Sequence, residues 1–466
     1  MHNHLLLVDF GSTYTKLTLV DLKKEDVVAT AMSYSTVETN IKIGYQKAFE
    51  EIKNKVNGKL NIKEVIACSS AAGGLKMAAI GLVPELTLEA SKRTCMGAGA
   101  KVDLAFSHQL ISSDIEKIKN NNIDIILLSG GTDGGHYKTV LHNAEVLSKA
   151  NLNIPVVYAG NRALHDEITK MFTENNVDFT LCDNVMGELN VLNMDSAKKA
   201  IREIFLKKII SAKGIKQIEE EIDQVILPTP ESVLLAAKLL AEGYDDEEGL
   251  GELMLVDVGG ATTDIYSMGD GLPTKIEIVQ KGLNEPFAKR TVEGDCGMRY
   301  SAPGAVKLIS DKEKREYLKN GFDLEEEAQL RYKNPEVLPV SEKDFIVEEI
   351  IAKACVREST LRHVGTIEKY ITPLGVMYYQ TGKDLNNVKL VIGTGGSIIN
   401  SPNKWDILKE VEKKEVLDLR PIKPNYAIDD EYLFSTMGLL SMKEPLIALK
   451  ILKKHLLWRE NDEIKK

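Results

Sequence analysis

Two stretches far apart in the chain share one layout. LLLVDFGSTYTK at residues 5–16 and LMLVDVGGATTD at residues 253–264 each run from apolar residues through Asp, an apolar residue and Gly into small hydroxylic residues. Their aspartates, Asp9 and Asp257, lie 248 positions apart. A second pair, LLSGGT at 127–132 and VIGTGGS at 391–397, sets paired glycines after an apolar run, and aligning Gly130 with Gly395 gives an offset of 265. Two kinds of motif recurring in order at similar offsets predict two lobes of like topology.

Length agrees, since 466 residues exceed what one core usually organises and suit about three domains or two large lobes. Short apolar runs alternate with longer amphipathic stretches, which predicts an α/β architecture. Strands are expected at 5–10, 16–21, 65–68, 123–129, 154–159, 253–258, 263–267 and 388–392, and helices at 45–56, 197–210, 231–242 and 345–357. Three charged zones read as surface: 245–248 as an acidic loop, 311–333 as an inserted helical element, and 443–466 as an amphipathic helix fraying into a polar tail.

Composition narrows the functions. A net charge of −10 repels phosphate backbones and argues against a general nucleic-acid binder. The five cysteines, Cys68, Cys95, Cys182, Cys296 and Cys355, form no CxxC, so reduced, mostly buried thiols in a cytoplasmic protein are expected rather than a disulfide framework or zinc site. No run approaches the roughly 18 apolar residues of a membrane span, and the run from Leu5 to Val8 lacks the basic approach of a signal peptide. The eight histidines show no HxxxH or HExxH spacing.

A strand that enters Asp-x-Gly and leaves as another strand is a tight hairpin. Gly11 and Gly259 give such turns their backbone freedom and let main-chain N–H groups approach an anion. Ser12, Thr13, Thr15, Thr262 and Thr263 add hydroxyls beside them, and Gly260 follows Gly259. Asp9 and Asp257 do not favour a bare phosphate. They make sense with Mg²⁺ between carboxylate and phosphate, through waters. Lys16 then supplies a point charge for a phosphate oxygen. GTGGS, with Gly393, Gly395, Gly396 and Ser397, reads as a strand-to-helix turn that a ribose or base can lie against. SGGTDGG at 129–135 is taken as its first-half counterpart, holding a structural turn or a contact between lobes. Asp264 and Asp133 are each open to two readings, positioning an attacking water or capping a turn. Arg290, Glu293, Asp295 and Arg299 read either as a ligand clamp or as a surface ion-pair group.

In this order these elements resemble the actin, heat-shock chaperone and sugar-kinase ATPases. PTPESVLLAAKLLAEG at 228–243 is similar to that superfamily's first connecting helix, and 434–441, with Gly438, is placed like the second. The resemblance implies a two-lobed actin-like (ribonuclease H-like) α/β fold with a nucleotide cleft between the lobes. The expected divisions are 1–245, with the first hairpin and connecting helix, 246–430, with the second hairpin and adenosine loop, and a C-terminal helical return at 431–466. It also implies ATP and Mg²⁺ as cofactors, with Asp9, Asp257 and Asp264 in catalysis and Asp9 and Asp257 at the metal.

A narrower resemblance is carried by CSSAAGGLKMAAIGLVPELTLEASK, LLSGGTDGG, NVMGELNVLNMDSAKKAI and KRTVEGDCGMRYSAPGA. These look like the MutL-type (GlmL) accessory proteins of methylaspartate (glutamate) mutase. That resemblance implies ATP-driven reactivation of an adenosylcobalamin-dependent mutase by exchange of damaged cofactor, with mutase subunits as partners and homo-oligomerisation left open. No DxHxxG motif is present, so cobalamin itself need not touch this chain. A small-molecule kinase and a reactivator of a cobalamin-dependent aminomutase are the alternatives. Cys95 in CMGAG invites comparison with iron–sulfur dehydratase activators, but the cysteine spacings do not support a cluster.

Overall fold

The computed structural model describes residues 3–11, 13–35, 41–56, 60–70, 75–212, 222–373 and 375–459. Its centre is the strand His4–Phe10, whose unbroken LLLV run is buried on both faces. Such a run suits the middle of a sheet covered on both sides. Around it the first sheet runs Asp26–Tyr34, Tyr14–Asp21, His4–Phe10, Ile62–Ser69, Gln224–Pro228. Tyr14–Asp21 is antiparallel to both of its neighbours, whereas Ile62–Ser69 is parallel to the strands on either side.

The second sheet repeats this plan. Its strands run Ala288–Glu293, Thr263–Met268, Leu253–Val258, Leu390–Thr394, Asn425–Ile428, with Leu457–Trp458 added at the far edge. Again the second strand of the chain is antiparallel to both its neighbours while the fourth and fifth are parallel, and the added edge strand is antiparallel to the fifth. Counted along the chain, both sheets therefore read 3-2-1-4-5. This is the ribonuclease H-like plan, and its duplication is the two-lobed actin-like α/β fold.

Between Ile62–Ser69 and Gln224–Pro228 the chain builds a separate sheet, the insert. Its strands are all parallel, in the order Lys101–Phe106, Lys76–Ile80, Ile125–Leu128, Val156–Tyr158, Phe179–Leu181. One face of this sheet shares a core with the first sheet, where Leu6, Val8 and Phe10 join Met77, Ala79 and Leu127. The other face has its own core around Ile80, Ile126, Leu128 and Tyr158.

The insert corrects one expectation. SGGTDGG follows the insert strand Ile125–Leu128, so it is not the symmetric counterpart of GTGGS. The end of Ile62–Ser69 holds the corresponding place in the first sheet, because Asp9 faces Cys68 there as Asp257 faces Thr394 across the second. The 265-residue offset arose from apolar strands in sheets of different kinds. SGGTDGG is a turn held from within, as expected, with Asn184 donating to the Gly131 carbonyl and to Asp133, and the Gly134 N–H donating to Asn161.

Two helices join the lobes. Thr229–Glu242 begins with Pro230 in its first turn and stops at Gly243, whose φ of 83° is left-handed. Those are good start and stop signals. Phe434–Ser441 crosses it, and the Ser232 hydroxyl donates to the Ser435 carbonyl at 2.6 Å. At the crossing Gly438 has no room for a side chain: a β-carbon there would overlap the Ser232 carbonyl. Pro445–His455 then packs on both helices within the core that spans the two sheets. Among the described residues no helix is long and apolar enough to cross a membrane.

Gly438→Ala should lower unfolding free energy by about 1–3 kcal/mol, the usual cost of overpacking a filled contact. Urea denaturation measures this, and unchanged stability would show that the helices do not meet backbone to backbone.

Candidate functional site

Both Asp-x-Gly segments close as the same turn. The Gly11 N–H donates to the Tyr14 carbonyl at 3.1 Å, and the Gly259 N–H donates to the Thr262 carbonyl at 2.9 Å. A β-carbon on Gly11 would lie 2.6 Å from the Tyr14 oxygen, so the first turn requires glycine. The two turns face each other across a cavity of about 810 Å³. Asp9, Gly11, Thr13 and Lys16 line it from one lobe, and Asp257, Gly259, Gly260, Thr262 and Asp264 from the other. Gly395, Gly396 and Ser397 line it too.

Some expected residues turn away from the cavity. Thr15 is fully buried with its hydroxyl on Ser35, and Thr263 is fully buried with its hydroxyl on the Cys296 carbonyl. Both follow from strand alternation, which points neighbours to opposite faces. Gly393 sits within the strand Leu390–Thr394, where a side chain would meet Leu408. Ser12 lies outside the described residues.

Electrostatics distinguish this cavity from an ordinary cleft. Asp9 is buried, accepts the Thr229 hydroxyl at 2.6 Å and lies 3.9 Å from the Lys16 ammonium. Burial, joined by the Asp264 carboxylate, pushes the Asp257 carboxyl up to about 6 against the pull of Lys16. Asp429 is also raised to about 6 by burial, although the N–H groups of Leu433 and Phe434 donate to it. Lys16 lowers both values and also stands 4.3 Å from the centre of the Tyr432 ring. One lysine thus serves several carboxylates, a field that a further cation would relieve. Among the described residues no group of three or more His, Cys, Asp and Glu side chains is placed to hold a metal by itself.

Ser397 Oγ is buried without a hydrogen-bond partner at the start of the short helix Gly396–Ile399. Gly395 precedes it with φ of 96°, and a β-carbon there would overlap the Val258 carbonyl. The glycine loop is therefore pressed onto the second hairpin strand. Phe345, Leu338 and Tyr300 also line the cavity, with Arg299 held by both oxygens of Glu348 at 2.9 and 3.0 Å.

The segment from Arg290 to Arg299 divides. Arg290 is buried against Asp264 and Arg299 pairs with the buried Glu348 at the cavity, while Glu293 and Asp295 meet Arg362. It is neither one clamp nor one surface group. All five cysteines are buried and unpaired, in keeping with reduced thiols. Sequence reasoning missed Thr229, Asp429 and Tyr432. The first begins a recognisable helix, and the second precedes one as a capping carboxylate. Tyr432 carries no sequence signal, since it reaches Lys16 from a residue with φ of 57°.

The raised Asp257 carboxyl sets a sign. Its folded value lies above the usual 3.8, so the folded form holds more protons than the unfolded form between about pH 4 and 6. This group's contribution to stability therefore falls as pH rises through that window. Asp257→Asn should stabilise the nucleotide-free protein at pH 8 by about 3 kcal/mol. It should leave stability at pH 4 nearly unchanged. Thermal melts at the two values check this, and equal shifts at both would remove the electrostatic account.

The MutL protein family matches residues 5–456. Protein MutL of Clostridium tetanomorphum is 47% identical over 455 residues, which cover 97% of this chain and 98% of that protein. Among solved structures, the chain is similar to nucleotide-free acetone carboxylase, at 14% identity and a TM-score of 0.42, over 94% of this chain and 70% of that one. It is similar also to a glycerol dehydratase reactivase, at 10% identity and a TM-score of 0.34, over 87% of this chain and 94% of that one. A match over nearly the whole length, with a relative 47% identical across it, establishes that the chain belongs to the MutL family.

Proposed function

We propose that this protein is an ATP-dependent reactivating chaperone for an adenosylcobalamin-dependent mutase, with glutamate (methylaspartate) mutase as the expected partner. Membership of the MutL family supports the partner class. The observation that carries ATP use is the pair of facing hairpins with Asp9, Asp257 and Lys16 on one cavity.

The cavity suits a nucleoside triphosphate. Its phosphates would lie between the hairpins, where the Gly11 and Gly259 turns and Thr13 and Thr262 meet them and Lys16 neutralises charge. The adenosine would lie along Gly395 and Gly396, with the unpartnered Ser397 hydroxyl as an added donor. The crowded carboxylates fit Mg²⁺ held largely by phosphates and water, with Asp9 and Asp257 accepting from its waters, and this ion would neutralise charge in phosphoryl transfer. Asp264 then orients the attacking water. Because Arg290 holds its carboxylate at 2.6 Å, Asp264 is a poor acceptor for a substrate proton, which favours hydrolysis over the kinase alternative.

Hydrolysis removes the γ-phosphate contacts that both hairpins share, so the lobes part and affinity for the partner changes. A near-complete switch requires the two states to differ by about 5.5 kcal/mol in partner affinity.

The test inactivates a glutamate mutase with damaged cobalamin, then adds this protein, ATP, Mg²⁺ and fresh adenosylcobalamin. Activity should return only with hydrolysable ATP, and Asp257→Ala should reduce ATP turnover about 100-fold or more while the protein stays folded. An aminomutase serves as the parallel substrate. Stoichiometric phosphorylation of a metabolite with no mutase response would replace this reading with a kinase.

A further inference from the structure

At the seam between the insert and the second lobe, the Arg290 side chain touches both the cavity and the insert. Arg290 lies on Ala288–Glu293, and Asp264 lies diagonally across on Thr263–Met268, in the register that pairs Tyr266 with Arg290. Diagonal neighbours on one sheet face are within reach of a long side chain. The Arg290 fork gives Nε and one terminal nitrogen to Asp264 Oδ1, at 2.8 and 2.6 Å. Its other terminal nitrogen donates to the carbonyls of Met96 at 3.3 Å and Ala100 at 3.1 Å.

The Met96 carbonyl belongs to the last turn of the insert helix Glu89–Gly97, and the Ala100 carbonyl to the turn that follows it. Carbonyls of a last helical turn lack partners within the helix, and a cation there is favoured by the helix dipole. The same helix has a second tie to the lobe, since Arg93 donates to the Asn284 carbonyl at 2.7 Å and pairs with Glu285 at 3.2 Å. Asp264 faces the cavity, and its other oxygen accepts the Thr262 hydroxyl of the hairpin turn.

We propose that Arg290 is a positioning residue that couples the nucleotide in the cleft to the insert, by fixing Asp264 with one side of its guanidinium and the end of helix Glu89–Gly97 with the other. The proposal rests on the nucleotide reading above and adds how that site is regulated. When the triphosphate is bound, Thr262 and Asp264 are held, and Arg290 keeps the insert docked. After hydrolysis the hairpin relaxes, the fork shifts, and the helix end loses its carbonyl contacts. As the lobes part, the insert is released from the second lobe at this seam.

The test compares hydrogen–deuterium exchange over residues 89–101 of the full chain with Mg²⁺ and either a non-hydrolysable ATP analogue or ADP. The unaltered protein should exchange about tenfold more slowly with the analogue. Arg290→Lys keeps the charge but cannot span both sides, and Asp264→Asn keeps the carbonyl contacts while weakening the other side. Both variants should lose the difference, and Arg290→Lys should lose about tenfold in kcat with KM for ATP within about threefold. Arg93→Lys should retain the difference. A wild-type nucleotide response in folded Arg290→Lys and Asp264→Asn proteins overturns the coupling. Failure of the unaltered protein to bind either nucleotide overturns the underlying reading instead.

Discussion

The architecture depends on two helices that touch backbone to backbone. Thr229–Glu242 leaves the first sheet, Phe434–Ser441 leaves the second, and they meet where Gly438 lies on the Ser232 carbonyl. The helix that begins at Thr229 also supplies the hydroxyl held by Asp9, and the helix that begins near Phe434 is capped by Asp429. The hinge of the lobes and the chemistry of the cleft are therefore built from the same turns of chain.

The cleft is a place of unfavourable charge. Asp257 and Asp429 both sit well above the usual carboxylate range, and Lys16 is the cation that acts on each. An arrangement that costs stability when empty is suited to a ligand that brings its own positive charge. Stability and binding are thus opposed at Asp257, a common trade where a site is organised for a bound state.

Much of this was legible from residues alone, for a physical reason. Hairpins at Gly11 and Gly259 are local, so eight or so residues specify the strand, the turn and the outward carboxylate. The glycine loop at Gly395 is local too. What escaped is non-local. The insert sheet looked like more of the first lobe because its apolar strands have the same composition as those of the first sheet, and strand order is not written in any one strand. Gly130 matched Gly395 as text but not as topology. Thr15 and Thr263 were credited to the cleft on composition, yet alternation along a strand turns their hydroxyls inward. Tyr432 reaches Lys16 from another part of the chain, and no local pattern marks such a contact.

The insert also has a consequence for synthesis. Ile62–Ser69 and Gln224–Pro228 are neighbours in the first sheet, yet the whole insert separates them in the chain. The insert's parallel sheet is complete at Leu181, before the edge strand of the sheet that carries it exists. On a ribosome adding about 5–20 residues each second, helix Thr229–Glu242 emerges roughly 10–40 s ahead of the helix it must cross. During that interval the face of the first helix that the second will cover has no partner in the half-built chain.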